Sequence, residues 1–486
     1  MSHTVTHRKG LIALVLLLVL VSVLGWLAWD HLLRTRPQEL ADDSIEEYFK
    51  YGSVGTEEAA GIPLWIWLVL PKMFPEYLPA PGGWAALGFV WEQGRELPVG
   101  FSKKTIGFPR VGINCALCHS ATLRTTADAA PQVFLGGPSS TIDALAYQRF
   151  LFQAASDPRF TSGNILASVS QITKLSLIDR LLYRFVLVPQ TRKALLEQKE
   201  AFAWTETRPD WGRGRIDPFN PPKIAILNVP VGDTIGNADM QAIWNLRPRA
   251  EAGRSFHWDG LNTDLREVII SSALGDGATK KSLPLAALER IETWTLDLQP
   301  PSFANFFPID QTLATAGVEI FTTHCAACHR ADSTQTGTVL VLGDVAWEGG
   351  ETDSHRAEMW TPEAATAYNA FGDGYPWDFS HFRSTGGYVN VPLDGIWLRA
   401  PYLHNGSVPY LDELLERPAM RTTVFYRGFD VYNPDRMGFV AEGADAERVG
   451  TRLDTRALGN SNRGHLWGTD LAPEQKRALL EYLKTL

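Results

Sequence analysis

All four cysteines of the chain lie in two copies of one pentapeptide pattern, C-x-x-C-H. The copies are Cys115-Ala-Leu-Cys118-His119 and Cys325-Ala-Ala-Cys328-His329, and their histidines are 210 residues apart. Two thiols one helical turn apart can each form a thioether bond to a vinyl group of haem, and the histidine that follows then lies beneath the iron. The pattern therefore predicts two covalently attached haem c groups, with His119 and His329 as proximal iron ligands.

Three other uses of paired cysteines are open at this point. A four-thiolate zinc site usually brings its C-x-x-C pairs within about 15–20 residues of each other and needs no histidine after each pair. A thioredoxin-like redox pair is expected beside a βαβ pattern, and no such pattern is evident near either motif. Two local disulfides would leave both histidines without a role. Haem attachment accounts for the cysteines and the histidines together and is the favoured interpretation.

A 19-residue stretch without charge, from Leu11 to Trp29, constrains the N-terminal part of the chain. About 20 apolar residues are enough for a helix to cross a bilayer. Because no small-x-small cleavage site ends the stretch, we interpret residues 11–29 as an uncleaved transmembrane signal anchor and residues 1–10 as a cytoplasmic N-terminus. A cleaved signal peptide is the alternative.

The charges beside this stretch do not orient it, since Arg8 and Lys9 before it are matched by Arg34 and Arg36 after it. Haem is attached to C-x-x-C-H motifs on the outer side of the bacterial cytoplasmic membrane. We therefore expect a single-pass protein of the bacterial inner membrane with its body in the periplasm.

Composition adds two points. The formal net charge is −9 and the acidic residues are dispersed, which argues against a nucleic-acid partner because such a partner requires a clustered basic face. Sixteen tryptophans suit either a bulky planar cofactor or a large aromatic core.

The remaining pattern predicts a mainly α fold with two cytochrome c-like haem modules and long loops. Residues 30–100 form a lead-in rich in tryptophan and proline, residues 101–300 the first haem c module, and residues 301–486 the second. Within the lead-in, the apolar run 62–70 is too short to span a membrane and is either an interfacial segment or part of the core. The second module is expected to begin with a helix, in which Leu313, Gly317, Phe321 and Cys325 share a face, and to end with another that starts at Pro473.

Six further segments carry a resemblance to a known family. They are Leu97-Pro-Val-Gly-Phe-Ser102, Val111-Gly-Ile-Asn-Cys-Ala-Leu-Cys-His119, Trp244-Asn-Leu-Arg247, His257-Trp-Asp-Gly260, Ala400-Pro-Tyr-Leu-His-Asn-Gly-Ser407 and Gly459-Asn-Ser-Asn-Arg-Gly-His465. Together they resemble the diheme cytochrome c peroxidase superfamily, and within it the branch that includes the diheme rubber oxygenases. The resemblance implies one haem whose open iron performs oxygen chemistry and a second, six-coordinate haem that passes electrons.

For the second haem, the resemblance implies a sixth ligand late in the chain, methionine in the peroxidases and histidine in the rubber oxygenases. The candidates are Met420, Met437, His404 and His465. The Gly-Asn-Ser-Asn-Arg-Gly-His setting resembles the oxygenase branch and favours His465, with Met437 as the alternative. The family's Pro-Tyr-x-His segment is expected to place His404 beside this haem rather than on its iron.

For the first haem, the resemblance places His257 and Trp258 in the distal pocket or on the path between the haems, and Trp244 is a further candidate for electron transfer. If His257 stands over an open iron, a neutral imidazole with an ordinary pKa of about 6.5 can move a proton between peroxide oxygens. If it ligates the iron, the protein is only an electron carrier. For each tryptophan, a place in the core is the alternative.

Other polar residues receive more general expectations. Arg247, Arg383 and Arg399 are candidates for pairing with haem propionates, with surface ion pairs as the alternative. The superfamily often holds a calcium ion through backbone carbonyls, which the resemblance places near Arg399 and Pro401. Structural roles are expected for His355 and His381, and an incidental position for His324.

These observations favour a membrane-anchored periplasmic diheme c-type cytochrome that acts as an oxidoreductase on peroxide or dioxygen, with a hydrophobic substrate as a variant. Its partner is expected to be a periplasmic electron donor or acceptor, or a membrane redox complex. The alternative is a pure electron-transfer subunit of such a complex, because function depends on the distal site and not on the fold. A haem-stabilised binding module is the third interpretation.

Overall fold

The computed structural model describes residues 2–330, 336–342 and 351–486. Within them the α-helices are α1 (Ser2–Leu32), α2 (Ile45–Tyr51), α3 (Leu64–Met73), α4 (Ala144–Ser156), α5 (Ser162–Val169), α6 (Leu177–Leu182), α7 (Val188–Ala201), α8 (Asn220–Ala225), α9 (Arg247–Glu251), α10 (Leu265–Gly275), α11 (Leu285–Asp297), α12 (Gln311–His324), α13 (Ala326–His329), α14 (His355–Met359), α15 (Pro362–Phe371), α16 (Leu411–Leu414), α17 (Ala444–Val449) and α18 (Pro473–Leu483). The β-strands are β1 (Ile62–Pro63), β2 (Phe101–Ile106), β3 (Phe108–Ile113), β4 (Ser120–Leu123), β5 (Gln132–Leu135), β6 (Arg215–Ile216), β7 (Ala238–Asp239), β8 (Val339–Val341), β9 (Gly387–Val389), β10 (Val424–Arg427), β11 (Tyr432–Asn433), β12 (Gly438–Phe439) and β13 (Thr451–Asp454). A π-helical segment, Tyr183–Leu187, joins α6 to α7.

The mainly α expectation is not confirmed, since helices account for 43% of the chain and the sheet content is sizeable. The strands pair as short antiparallel ribbons, and the longest two, β2 and β3, are joined through a turn at Gly107. Neither strand alternates buried with exposed side chains. Because both faces of this hairpin are partly covered, the two-residue period that reveals a strand in a sequence is missing.

The N-terminal helix α1 contains a segment, Leu14–Leu32, that is long and apolar enough to cross a membrane. Most of its apolar side chains are exposed, and Leu16, Leu20 and Leu24 are all more than half exposed. The helix extends beyond both ends of the predicted span 11–29. A helix with this much exposed apolar surface suits lipid as its surroundings.

The apolar run 62–70 forms β1 and most of α3, and it is part of the core rather than an interfacial segment. Ile66 and Trp67 are fully buried. The Trp67 ring stacks on Trp84 at a centroid distance of 4.7 Å, and its Nε1 donates a hydrogen bond to Tyr147 Oη at 3.0 Å. This core also contains Leu117 of the first C-x-x-C-H motif. We call the part of the chain that is packed around this core the first lobe.

The second motif follows the long helix α12, which packs against the C-terminal helix α18. Both helices occur where the sequence pattern predicted them. Gly317 and Phe321 of α12 are buried, and the Phe321 ring lies 4.9 Å from the Tyr482 ring. At Gly317 an added Cβ would lie only 2.2 Å from the Ala478 carbonyl oxygen. The helices therefore approach more closely than any other residue at this position would allow.

Two apolar cores contain residues from both sides of position 300. One joins Leu274 and Ile291 to Trp360 and Tyr368. Another joins Trp244 to residues around Trp397. The division into modules at residue 300 stays a prediction, and the packing shows that the two halves of the chain share their cores.

Candidate haem-binding sites

The first motif begins directly after the β2–β3 hairpin. Asn114 shapes this turn, because its side chain donates a hydrogen bond to the Gly52 carbonyl at 2.9 Å and accepts one from the Ala116 N–H at 3.0 Å. Gly100, with φ of +90°, lies so close that an added Cβ would be 2.3 Å from the Leu117 Cα. The motif is thus held from both sides by residues of the first lobe.

The second motif begins at the C-terminal end of α12, where the Cys325 N–H donates to the Phe321 carbonyl at 2.8 Å. The chain continues as the single turn α13, which ends at His329. One helix and its packing on α18 therefore position this motif, whereas a hairpin and a loop position the first.

The two motif histidines make the same hydrogen bond. His119 Nδ1 lies 2.8 Å from the Gln241 carbonyl oxygen, and His329 Nδ1 lies 2.8 Å from the Val391 carbonyl oxygen. Because a carbonyl oxygen only accepts, Nδ1 carries the proton in both rings and Nε2 keeps its lone pair. Burial lowers the pKa of both imidazoles. Both are therefore neutral and oriented as metal ligands through Nε2, which fits the expected haem.

The four cysteines do not fit the zinc and disulfide alternatives. All four are half-buried, and no disulfide joins them. The described residues contain no group of three or more His, Cys, Asp or Glu side chains that could hold a metal ion. Each pair instead stands beside its own histidine, as haem attachment requires.

A largely apolar cavity of about 240 Å³ lies beside the second motif. Cys325, Cys328 and His329 line it, and so does His465 from the late loop. The ring centroids of His329 and His465 are 6.2 Å apart. A metal ion bonded to two imidazoles at about 2 Å each places their centroids roughly 6 Å apart, so this pair has the spacing of two axial ligands.

The loop that carries His465 is fixed by buried polar side chains. Asn405 Nδ2 donates to the Gly459 and Ser461 carbonyls at 3.1 and 3.0 Å, and Arg421 Nη2 donates to the His465 carbonyl at 2.8 Å. Burial, followed by the charges of His329 and Arg421, lowers the pKa of His465 to about 3. The Pro-Tyr-Leu-His-Asn-Gly-Ser segment therefore supports the position of His465.

The other candidates for the sixth ligand lie elsewhere. Met420 is 72% exposed, and Met437 is fully buried in an apolar core with Tyr432 and Phe439. His404 lines the cavity, but its ring stacks on Tyr388 at 4.1 Å and its Nε2 lies 3.1 Å from the Tyr388 hydroxyl. Burial lowers the pKa of His404 to about 4. It lies beside the cavity as a neutral hydrogen-bonding group, as expected.

Two arginines line the same cavity, the buried Arg249 of α9 and the half-buried Arg399. Burial lowers the pKa of each to about 10, so both remain charged at neutral pH. The Nε of each is buried and has no hydrogen-bond partner among the described residues. Two cations that keep unused donors, and that have no carboxylate partner within the described ranges, complement the two propionates of a haem.

The other two arginine candidates lie away from the cavity, and carbonyls at the predicted calcium position already accept hydrogen bonds. Arg247 forms an ion pair with Asp297 at the surface, and Arg383 donates to Ser255 Oγ at 2.8 Å; neither lines the cavity. The carbonyls of Pro392 and Asp394 already accept hydrogen bonds from the Arg399 guanidinium. The position near Arg399 and Pro401 is therefore poorly suited to calcium.

Adjacent residues of the chain face the two sites. Trp258 lines the second cavity, and its Nε1 donates to the Asp239 carbonyl at 2.7 Å. His257, with φ of +64°, packs edge-on against Phe219 at 5.3 Å, and its buried Nε2 has no partner among the described residues. Burial, followed by the charges of Arg356, Arg249 and His119, lowers the pKa of His257 to about 3.

Arg356 adds a buried cation beside His257. It is 2% exposed and donates from Nη2 to Asp259 Oδ1 at 3.2 Å. Its Nε and Nη1 have no partner among the described residues, and its guanidinium lies 5.0 Å from the Phe219 ring centroid. The Phe219 ring therefore contacts both His257 and Arg356, two groups that keep hydrogen-bonding atoms without a partner among the described residues.

Trp244 lies in the core between the two sites. It is 1% exposed, and its Nε1 donates to the Leu135 carbonyl at 2.8 Å. The neighbouring Gly136 N–H donates to the His119 carbonyl at 2.8 Å, and the Arg399 guanidinium lies 5.8 Å from the Trp244 ring. An indole in this place contacts the surroundings of both sites.

The remaining histidines have structural surroundings. His355 Nδ1 lies 2.9 Å from Asp353 Oδ1, and His381 Nδ1 lies 2.7 Å from Glu267 Oε1. His324 is exposed at the rim of the second cavity. None of the three stands opposite a motif histidine.

The sequence-based interpretation missed Arg249, Arg356 and Arg421. Arg249 follows the Trp-Asn-Leu-Arg segment by two residues, which was a usable signal. Nothing near Arg356 or Arg421 in the sequence marks them, because their importance comes from buried donor atoms without a partner among the described residues, or from carbonyls brought together by folding.

Comparison with known proteins finds a family match in the segment that lines the cavity. A family model described as RoxA-like, cytochrome c-like matches residues 387–426, the segment that supplies much of the cavity wall. Two similar proteins are the uncharacterized proteins y4iJ and y4iM of Sinorhizobium fredii (strain NBRC 101917 / NGR234). The identity to y4iJ is 43% over 108 residues, 20% of this chain and 18% of y4iJ. The identity to y4iM is 28% over 294 residues, 51% of this chain and 64% of y4iM.

The chain thus spans less than two thirds of the length of either relative. The matched segment, the cavity and the C-x-x-C-H motif beside it relate this chain to the c-type cytochromes, with a cytochrome c-like domain that implies haem c.

Proposed function

We propose that the protein is a membrane-anchored periplasmic diheme c-type cytochrome that reduces peroxide or activates dioxygen at its first haem and transfers electrons through its second. The observation that carries this proposal is the contrast between the two motif histidines. His329 faces a second imidazole, that of His465, at 6.2 Å. The ring partner of His257, the histidine near His119, is Phe219 instead.

At the second site, Cys325, Cys328, His329 and His465 would hold a haem, and Arg249 and Arg399 would neutralise its propionates. At the first site, Cys115, Cys118 and His119 hold the other haem. When bound, haem supplies an iron that exchanges single electrons and, at an open position, binds oxygen ligands.

The side chains near the first site define what the protein adds. With its pKa lowered to about 3, His257 is neutral at any physiological pH, so it acts through hydrogen bonds at Nε2 rather than as the near-neutral proton acceptor expected from sequence. Arg356 offers unused N–H donors to a negatively charged oxygen. Phe219 packs against both groups and excludes water from them.

Reduction of hydrogen peroxide to two waters consumes two electrons and two protons. We assign the electrons to a periplasmic electron donor that reaches the second haem, and Trp244 and Trp258, which contact the surroundings of the second site, to the path between the haems. A hydrophobic unsaturated substrate with dioxygen is the oxygenase variant of the same site.

The test is peroxide consumption by the full-length, haem-loaded protein after chemical reduction. The wild type is expected to oxidise its haems and consume peroxide. His257→Leu is expected to slow this step about 100-fold or more, because it removes a positioned polar group from the reacting oxygens. His381→Leu is the matched control and is expected to keep the wild-type rate.

If the reduced wild type is not oxidised by peroxide or dioxygen but exchanges electrons with dyes, the enzyme assignment is wrong. The protein is then a pure electron-transfer subunit of a membrane redox complex.

A further inference from the structure

A cluster of exposed apolar side chains marks one edge of the first lobe, around α6 and the π-helical segment. Its members, which we call the α6 patch, are Ile172, Leu177, Ile178, Leu181, Phe185 and Val186. Leu177 is 74% exposed and Phe185 is 67% exposed. Isolated apolar residues are normal on a protein surface, but six exposed ones within 15 residues of one segment are a concentration of apolar surface, and large exposed apolar patches mark interaction sites.

The patch is not the inward face of an amphipathic helix. The inward side of the same segment is already apolar and buried, since Tyr183 is 2% exposed, Leu187 is 5% exposed and Val188 is 2% exposed. The segment is therefore apolar on both its inner and outer sides. A helix with apolar residues all around needs an apolar environment on its outer side as well.

The patch lies where the membrane-spanning helix ends. His31, in the last turn of α1, places its Nδ1 3.2 Å from Asp179 Oδ1 of α6. The chain after α1 is also fixed to the β2–β3 hairpin, because the Gly107 N–H donates to the Arg34 carbonyl at 2.8 Å and the Arg36 N–H donates to the Thr105 carbonyl at 3.0 Å. The body therefore follows α1 without a flexible linker.

Basic side chains accompany the patch. Lys174, Arg180 and Arg184 are exposed, and within the described part of the chain none of them belongs to an ion pair. The Arg184 guanidinium lies 5.7 Å from the Phe185 ring centroid. Apolar side chains with unpaired cations beside them complement acyl chains with phosphate groups above them.

We propose that the α6 patch inserts into the membrane interface beside α1. The first lobe then contacts the bilayer surface directly, in addition to being joined to it through α1. Bilayer lipid is the partner. The inference rests on the proposed membrane anchor but not on the redox chemistry. It also gives the first-haem lobe a defined approach for lipid-soluble molecules.

The haem motifs make a sharp test possible. Because all four native cysteines are expected to be thioether-bonded in the haem-loaded protein, an introduced cysteine is the single reactive thiol. Three variants of the full-length protein are labelled with a nitroxide and reconstituted in phosphatidylcholine–phosphatidylglycerol liposomes. Phe185→Cys reports on the patch, Leu17→Cys on α1, and Leu458→Cys is the matched control, since Leu458 is 65% exposed and lies outside the patch.

Electron paramagnetic resonance then compares collisions of each label with oxygen, which concentrates in lipid, and with a water-soluble nickel chelate. The labels at Phe185 and Leu17 are expected to have an oxygen-to-nickel ratio several-fold above that at Leu458. The haem absorption spectrum of each variant verifies folding. A charge-reversing variant, Arg180→Glu with Arg184→Glu, is expected to lower the ratio at Phe185 and leave that at Leu17 unchanged.

If the Phe185 ratio equals that of Leu458 while Leu17 lies in lipid, the patch proposal is wrong and the anchor stands. If Leu17 and Phe185 are both in water, both proposals are wrong. If the Phe185 labels broaden one another magnetically and stay inaccessible to lipid, the patch is a contact between two copies of the chain, and lipid is not its partner.

Discussion

The two C-x-x-C-H motifs are alike at the proximal histidine and different opposite it. His119 and His329 each donate from Nδ1 to a carbonyl oxygen at the same distance, 2.8 Å. Across from His329 stands His465, on a loop that Asn405 and Arg421 fix. Near His119 stands His257, which has a partnerless Nε2.

This difference distinguishes the residues that would attach a haem from the residues that would determine its reactivity. A second imidazole at the distance seen for His465 would leave no position for another ligand on a shared metal, whereas in the proposed function His257 and Arg356 would hydrogen-bond a ligand at the first site. The motif itself thus specifies attachment of the haem, and the residues opposite specify what the haem does.

The largest expected effect comes from making the second site resemble the first. His465→Gly removes the imidazole and suits the left-handed backbone at this position, where φ is +58°. We expect the low-spin signal of the second haem to convert fully to high-spin, and exogenous imidazole to restore it. The electron paramagnetic resonance spectrum of the ferric protein measures both changes.

Met437→Leu is the control for this substitution, because Met437 is the alternative ligand. It is expected to leave the spectrum unchanged. A spectrum that changes in Met437→Leu and not in His465→Gly would assign the second haem to methionine.

The next effect concerns how each motif is held. Gly100→Ala places a Cβ against the Leu117 Cα at a φ of +90°, and Gly317→Ala places one against the Ala478 carbonyl. We expect each to lower the free energy of unfolding of the haem-loaded protein by about 2 kcal/mol, with the larger loss at Gly100 because strain adds to the clash. Thermal melting measures this, with Gly163→Ala as the control.

Gly163 has no atom within 4 Å of an added Cβ, so its replacement is expected to leave the melting temperature unchanged or slightly higher. Equal stability of all three variants would mean that neither motif depends on close backbone packing.

A smaller effect is expected at the donors of the first site. Arg356→Lys keeps the charge but loses the planar set of N–H donors. We expect the affinity of the first haem for cyanide to fall about tenfold, which corresponds to about 1.4 kcal/mol. An optical titration measures the affinity, and Arg383→Lys is expected to match the wild type. An unchanged affinity in Arg356→Lys would remove Arg356 from the ligand pocket.

The smallest effect is a shift in the reduction potential of the second haem. Arg249→Gln removes a buried positive charge that stabilises the reduced state, so the potential is expected to fall by on the order of 50 mV. Arg247→Gln is a matched control on the same helix, because Arg247 is paired with Asp297 at the surface. Spectroelectrochemical titration distinguishes them, and equal potentials in the two variants would place the propionates elsewhere.

The sequence predicted the structural features whose signal lies in residues close together in the chain, and it missed those that depend on packing between distant residues. The i, i+4 pattern through Gly317 and Phe321 predicted α12 because helix periodicity follows directly from residue order. The β2–β3 hairpin was missed because partial cover on both faces removed its alternation. The run 62–70 read equally well as interface or core, and only its packing shows that it is core.

The same distinction between local and long-range signals applies to the residues of the two sites. The proximal histidines were predictable because their role is written in five consecutive residues. Arg249 and Arg356 were missed, since a buried guanidinium that keeps donors without a partner among the described residues is a property of the folded chain. The α6 patch was hidden for a similar reason, because an apolar helix in the sequence does not reveal which of its sides the body covers.

The central claim is that the first haem is open and the second is closed. The most direct test is the electron paramagnetic resonance spectrum of the ferric, haem-loaded protein before and after addition of cyanide. The account predicts one high-spin centre that cyanide converts to low-spin, and one low-spin centre that cyanide leaves unchanged. Two low-spin centres that both ignore cyanide would contradict it and leave the protein as an electron carrier.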